Sequence, residues 1–163
     1  MARDQELARP RSDVSDGGAA LEGFLTSAHK LANAFGESSI LAKQSITIGE
    51  WAVLDALCTS GELSLREVIS ASGVSRQRIN KLLGSLEGKK LVTVQQTEEG
   101  DRRRRTVAPT SKAVRVREEI LSEFRRLLPA LGKPGQEGLN RRLVALTRLS
   151  NRLIRTLKQH GAA

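Results

Sequence analysis

From Leu21 onward the apolar residues recur at helical spacing. Leu21, Phe24, Ala28, Leu31 and Phe35 step by threes and fours, and Leu25 and Ala32 widen the stripe. The spacing predicts an amphipathic helix of roughly 20 residues, weakened at Gly36 and finished by about Gln44. Residues 1–18 are polar and aperiodic and read as a flexible tail. Thr47-Ile48-Gly49-Glu50 is a capping box, in which the Thr hydroxyl and the Glu carboxylate each take a backbone N–H at the helix start. It opens a helix with Trp51, Leu54, Leu57 and Cys58 inward, ended by Gly61. Ser64-Leu65-Arg66-Glu67 is a second capping box. It opens a short helix that buries Val68 and Ile69 and stops at Gly73. Ser75 caps a third helix, with Ile79, Leu82, Leu83 and Leu86 on one face.

The period then shortens. Leu91 to Thr97 is β-rich and half alternating, Glu98-Glu99-Gly100-Asp101 reads as a turn, and Arg105 to Ala108 as a return strand ended by Pro109. Thr110 caps a further helix with an inner face of Val114, Ile120, Leu121, Phe124, Leu127 and Leu128, and with Arg117 at its edge. Pro129 and Gly132-Lys133-Pro134-Gly135 break it. A last helix carries Leu139, Leu143, Leu146, Leu149, Leu153 and Leu157. A short helix, a glycine turn and a second helix make a helix-turn-helix. Followed by a charged hairpin, it makes a winged helix. The predicted fold class is therefore mainly α, with a small β-hairpin wing between long N- and C-terminal helices.

Charge gives this architecture a use. The chain carries 27 Lys+Arg against 18 Asp+Glu, a formal +9. Residues 1–100 hold 11 basic and 13 acidic side chains, whereas residues 101–163 hold 16 and 5. A positive field concentrated in this way suits a polyanion, although an Arg-rich solvated surface has the same composition. The polar face of the third helix holds Ser75, Arg76, Gln77, Arg78, Asn80 and Lys81, with Gly84 allowing close approach. Gln and Asn match adenine, and Arg and Lys match guanine, in the major groove of duplex DNA. Ser75 and the first-turn N–H groups suit a phosphate. The wing tip holds Asp101, Arg102, Arg103, Arg104 and Arg105. One or two of these arginines are expected in the minor groove, with Asp101 paired to a neighbouring Arg.

Composition removes other function classes. Trp51, Phe24, Phe35 and Phe124 are all the aromatics, which argues against stacking platforms for single strands. One cysteine leaves no disulfide framework and no multi-Cys zinc site. His29, His160 and Cys58 lie far apart, with no metal-ligand spacing, phosphate loop or nucleophile motif, so no enzyme, metal or cofactor is expected. No apolar run reaches the ~18 residues of a membrane span, and the N-terminus lacks the apolar stretch of a secretory signal, so the expected place is the cytoplasm.

These residues resemble the MarR-type transcriptional regulators. The resemblance is carried by residues 45–57 (SITIGEWAVLDAL), 63–92 (LSLREVISASGVSRQRINKLLGSLEGKKLV) and 100–113 (GDRRRRTVAPTSKA). The family's recognition-helix signature falls on Val74-Ser75-Arg76 and Ile79. Its wing signature falls on Asp101-Arg102, Thr106-Val107 and Pro109-Thr110. The resemblance implies a homodimer whose terminal helices interlock, with two lobes on a palindromic site. The apolar stripes independently permit this, though packing within one chain is the alternative. The interface residues would be Leu21, Phe24, Leu25, Ala28, Leu31, Leu143, Leu146, Leu149, Leu153 and Leu157. The implied organisation is a tail over 1–18, a first dimerisation helix over 19–45, a winged helix-turn-helix lobe over 46–110 and C-terminal dimerisation helices over 111–160.

The resemblance also implies a small effector, commonly phenolic or anionic. His29, Trp51 and Cys58 are the candidate pocket residues, although each has a plainer reading: surface or interface histidine, core tryptophan, small buried hydrophobe. A redox-sensing branch uses a first-helix Cys that this chain lacks. Pro109 stands where the family usually has Leu, and removes an N–H at the base of the wing. Ser70 and Ser72 replace the usual apolar residues of the short helix and are expected to loosen it. Arg141, Arg142, Arg148, Arg152 and Arg155 suggest intersubunit pairs with Glu118, Glu119 and Glu123, or an anion site. The sequence therefore reads as a sequence-specific double-stranded DNA-binding regulator, a dimeric repressor modulated by a ligand. The alternative is a nonspecific or architectural winged-helix module without one.

Overall fold

A computed structural model describes residues 14–99, 102–127, 129 and 136–160. The order is α1 (Val14–Gly36), α2 (Ser39–Lys43), α3 (Ile48–Ser60), β1 (Leu63–Ser64), α4 (Leu65–Ser72), α5 (Arg76–Gly88), β2 (Val92–Glu99), β3 (Arg102–Pro109), α6 (Ser111–Leu127) and α7 (Gln136–His160). The chain divides into two units, residues 1–121 and 122–163. No helix among the described residues is long and apolar enough to cross a membrane.

The first helix differs from its prediction at both ends. It begins at Val14, and the remainder of the expected tail, residues 1–13, lies outside the described residues. It does not run on to Gln44. It stops at Gly36, and the separate α2 starts at Ser39. The reason is local. Ser38 adopts an extended backbone, and both its N–H and its hydroxyl donate to the Phe35 carbonyl, at 3.1 and 2.7 Å. After this break Leu41 is fully buried.

Both capping boxes form. Glu50 and Glu67 accept from the N–H groups of Thr47 and Ser64 at 2.7 and 2.8 Å, and the Thr47 and Ser64 hydroxyls accept in return. At the end of α4 the Ser72 hydroxyl donates to the Val68 carbonyl at 2.7 Å and accepts from the Val74 N–H. Gly73 then turns the chain with φ 68°, a left-handed conformation that a side chain would strain.

The sheet is antiparallel in the order β1-β3-β2. The two-residue β1, absent from the sequence reading, pairs Leu63 with Val107 and Ser64 with Thr106. The wing pairs Val92 with Pro109 through to Glu99 with Arg102. Glu98 and Glu99 are therefore strand residues, not part of a turn. In the backbone register they stand opposite Arg103 and Arg102. Pro109 does not open the base of the wing. The next residue closes it, with the Thr110 N–H donating to the Leu91 carbonyl at 3.0 Å and its hydroxyl to the Lys90 carbonyl at 2.9 Å.

Leu54, Leu57, Val68, Ile79, Leu83, Leu86, Leu91, Val92 and Val107 form the core that supports α5 and the wing. Trp51 and Cys58 are half-buried, as is Leu82. On α6 the buried residues are Ala113, Val116 and Ile120; of the predicted face Ile120 is buried, Leu121 and Phe124 are half-buried, and Val114 and Leu127 are exposed. Ala113 is a weak apolar signal beside Val114, so the large residues misled the assignment. Leu128 lies outside the described residues.

Lys90 sits at φ 59°, just beyond the end of α5, where the Leu91 N–H reaches back to the Leu86 carbonyl at 2.9 Å. This is the position at which helices favour glycine. Lys90→Gly is expected to stabilise the protein by about 0.5–1 kcal/mol. Thermal unfolding checks it, and a lowered midpoint would contradict the strain argument.

Candidate nucleic-acid interface

The capping pattern singles out α5. The starts of α3 and α4 are closed by glutamates, whereas α5 has no acid in its first turn and no side-chain capping bond from Ser75. Its first N–H groups and positive dipole end are thus open to an anion. Ser75, Arg76, Gln77, Arg78, Asn80 and Lys81 are all exposed, on a helix held by buried Ile79, Leu83 and Leu86. The predicted recognition residues therefore lie together on one outward surface. Gly49 lets α3 approach this helix: a Cβ there would meet Leu82 at 3.3 Å and the Arg78 guanidinium at 3.9 Å.

The wing is attached to α5 directly. Arg105 Nη1 donates to Asn80 Oδ1 at 3.2 Å, and Arg105 Nε is buried without a partner. Asp101 lies outside the described residues. Arg102, Arg103 and Arg104 are placed by strand register alone, opposite Glu99, Glu98 and Thr97.

A buried ion pair anchors the other end of the recognition helix. Glu50, 2% exposed, accepts from Lys89 Nζ at 2.6 Å, and the same ammonium donates to the Ser45 carbonyl at 2.6 Å. Burial alone would raise the Glu50 pKa. Hydrogen bonds from Lys89, Ser85 and the Thr47 N–H, with the Lys89 charge, outweigh burial and hold it below its ordinary value. Lys112 Nζ donates to the Lys89 carbonyl at 2.9 Å, which adds a cation at the carbonyl end of α5. The sequence identified Glu50 only as a capping residue. Its partner lies 39 positions away, and no local pattern signals the pair.

The three candidate pocket residues have separate neighbours. His29 is exposed and bonded to Asn33 at 3.0 Å. Trp51 packs edge-on against Phe35, with ring centroids 6.0 Å apart. Cys58 lies two turns along α3 from Trp51, and burial pushes its thiol pKa up, away from thiolate reactivity. Arg117 joins α6 to α3 through Asp55 at 2.7 Å and Thr59 at 3.4 Å, and the hydrogen bond to Asp55 raises its pKa further. Glu123 pairs with Arg126, Glu118 with Arg117, and Glu119 accepts from Gln44. These three carboxylates thus have contacts within the chain. Among the described residues no group of three His, Cys, Asp or Glu side chains could hold a metal ion.

The predicted interface residues Leu21, Leu25, Ala28, Leu31, Leu143, Leu146, Leu149 and Leu157 are exposed, and Phe24 and Leu153 half-buried. Val144 and Ile154 add to the uncovered apolar surface of α7.

Comparison with solved structures returns the same fold. Staphylococcus aureus MarR in complex with salicylate and kanamycin matches with TM-score 0.68 and 19% identity over 87% of this chain and 95% of that one. Bordetella bronchiseptica BpsR, whose DNA binding is regulated by 6-hydroxynicotinic acid, matches at 0.59 and 19% over 82% and 98%. Reduced AbfR bound to DNA matches at 0.64 and 17% over 85% of this chain and 97% of its own. No curated protein matches the sequence. The MarR family model matches residues 44–104, from the end of α2 through α5 and into the wing. That stretch holds the helix-turn-helix and most of the wing, and the solved structures share the fold of most of the chain.

Proposed function

We propose that the chain is a sequence-specific double-stranded DNA-binding transcriptional regulator, a cytoplasmic homodimer that represses by occupying a palindromic site. The observation that carries this is the exposed polar face of α5. Six side chains able to meet bases or phosphates lie on a helix whose opposite face buries Ile79, Leu83 and Leu86. In this reading α5 enters the major groove and the wing arginines meet the neighbouring backbone or minor groove. A twofold dimer places two such helices on one duplex. The uncovered leucines of α1 and α7 are its contact surface. A small aromatic acid as effector is suggested by the ligands named for the S. aureus and Bordetella proteins. Release of bound duplex by salicylate tests that extension.

Selection of duplexes from a random pool tests the main reading. The expected product is a pair of inverted half-sites, bound with an affinity that falls as salt rises. Equal affinity for selected and random duplex would leave the architectural alternative. Within the selected site, Arg78→Ala is expected to relax one base position at a cost of about 1–3 kcal/mol. Arg103→Ala is expected to weaken all sequences alike and to lower the salt slope by about one. An unchanged slope in that variant would remove Arg103 from the phosphate contacts.

A further inference from the structure

Asparagine selects adenine in the major groove with both ends of its amide: the nitrogen donates to N7 and the oxygen accepts from the N6 amino group. Asn80 does not have both ends free. Its Oδ1 already accepts from Arg105 Nη1 at 3.2 Å. A guanidinium has donors only, so the oxygen of the amide must be the end that faces it. Asn80 is exposed on α5, and its amide nitrogen is the end turned away from Arg105. Oδ1 keeps a second lone pair, but the adjacent cation repels the partly positive amino hydrogens of adenine.

Arg105 is well placed to hold this orientation. It lies opposite Gln96 in the middle of the wing and shares a strand face with the buried Val107. Its Nε is shut off from solvent. A guanidinium with a buried Nε and a partner on α5 is not a freely swinging phosphate clamp.

We propose that Arg105 is a positioning residue rather than a backbone contact: it fixes the Asn80 amide with its NH2 edge outward, and so makes Asn80 a donor-only reader that selects guanine, with its two major-groove acceptors, over adenine. The inference rests on the regulator reading and names the specificity of that same surface.

The test is selection from a random duplex pool with the wild-type protein, Asn80→Ala and Arg105→Met, the last keeping an apolar stem without donors. Asn80→Ala, an exposed substitution, identifies the half-site column that Asn80 reads. In the wild type that column is expected to hold guanine about tenfold over adenine, the scale of a single base contact. Arg105→Met is expected to lose this preference while other columns and the salt slope stay unchanged. Adenine at that column in the wild type overturns the proposal without recourse to the Arg105 variant. So does an Arg105→Met protein that keeps the column but binds all sequences more weakly, with a salt slope lower by about one. If the wild type enriches no sequence, the regulator reading itself falls and this inference falls with it.

Discussion

In the proposed dimer, replacing Leu146 and Leu149 together by aspartate is expected to leave a monomer and to cut affinity for the selected palindromic duplex at least ~100-fold. Both leucines are exposed on α7, beside Leu143, Val144, Ile154 and Leu157. Burying such a stripe on a twofold partner gains about 25 cal/mol per Å² of apolar surface removed from water. Two carboxylates in that surface lose the gain and face the same two carboxylates of the partner across the axis. The DNA effect follows from geometry: once one lobe is bound, the second binds as if at high local concentration, and a monomer has no second lobe. Light scattering gives the oligomeric state and duplex titration the affinity. Both leucines are uncovered within the chain, so helix content is expected to persist. A variant that stays dimeric would show that α7 is not the contact surface.

Lys89→Ala is expected to destabilise the protein by about 3 kcal/mol at neutral pH, because it leaves the buried Glu50 carboxylate without its cation. The pH dependence separates this from lost packing. In the wild type the folded-state pKa of Glu50 lies below the ordinary value of 4.5. Its stabilising contribution is therefore fully present above about pH 4.5 and is lost as the pH falls through the lower folded value. In Lys89→Ala the buried carboxyl loses its main partner, so its pKa is expected to rise. The gap between variant and wild type is then widest near neutrality and narrows as acid protonates Glu50. Denaturant unfolding across that range measures the gap, and a constant gap would refute the charge argument. Adding Glu50→Gln to Lys89→Ala is expected to recover part of the loss, since an amide without a cation costs less than a carboxylate. Because the pair ties α3 to the end of α5, duplex affinity is expected to fall with it.

Much of the lobe was legible because its signals are local. A capping box spans four residues, so Thr47 to Glu50 and Ser64 to Glu67 announced α3 and α4 unaided. The four-residue spacing of Ile79 and Leu83, with Leu86 three further on, marked the buried face of α5 and therefore that Ser75 to Arg78, Asn80 and Lys81 face outward. Where signals were weaker, larger residues drew the eye. Val114 outranked Ala113, yet on α6 Ala113 is buried and Val114 exposed. The charged run Glu98 to Asp101 suggested a turn, yet Glu98 and Glu99 continue β2, in register with Arg103 and Arg102. The two-residue strand β1 gave no pattern at all, since its pairing with β3 lies more than 40 residues away.

By itself, the sequence determined the starts of α3, α4 and α5, the buried face of α5 and the hairpin, all of them set by residue patterns local in the chain. Only the tertiary structure decided that Lys89 neutralises Glu50, that Leu41 is fully buried, and that Arg105 turns to Asn80. The reason is physical. The fate of a polar or charged side chain depends on which distant donor, acceptor or charge the fold brings within about 3 Å, and that distance has no periodicity along the sequence.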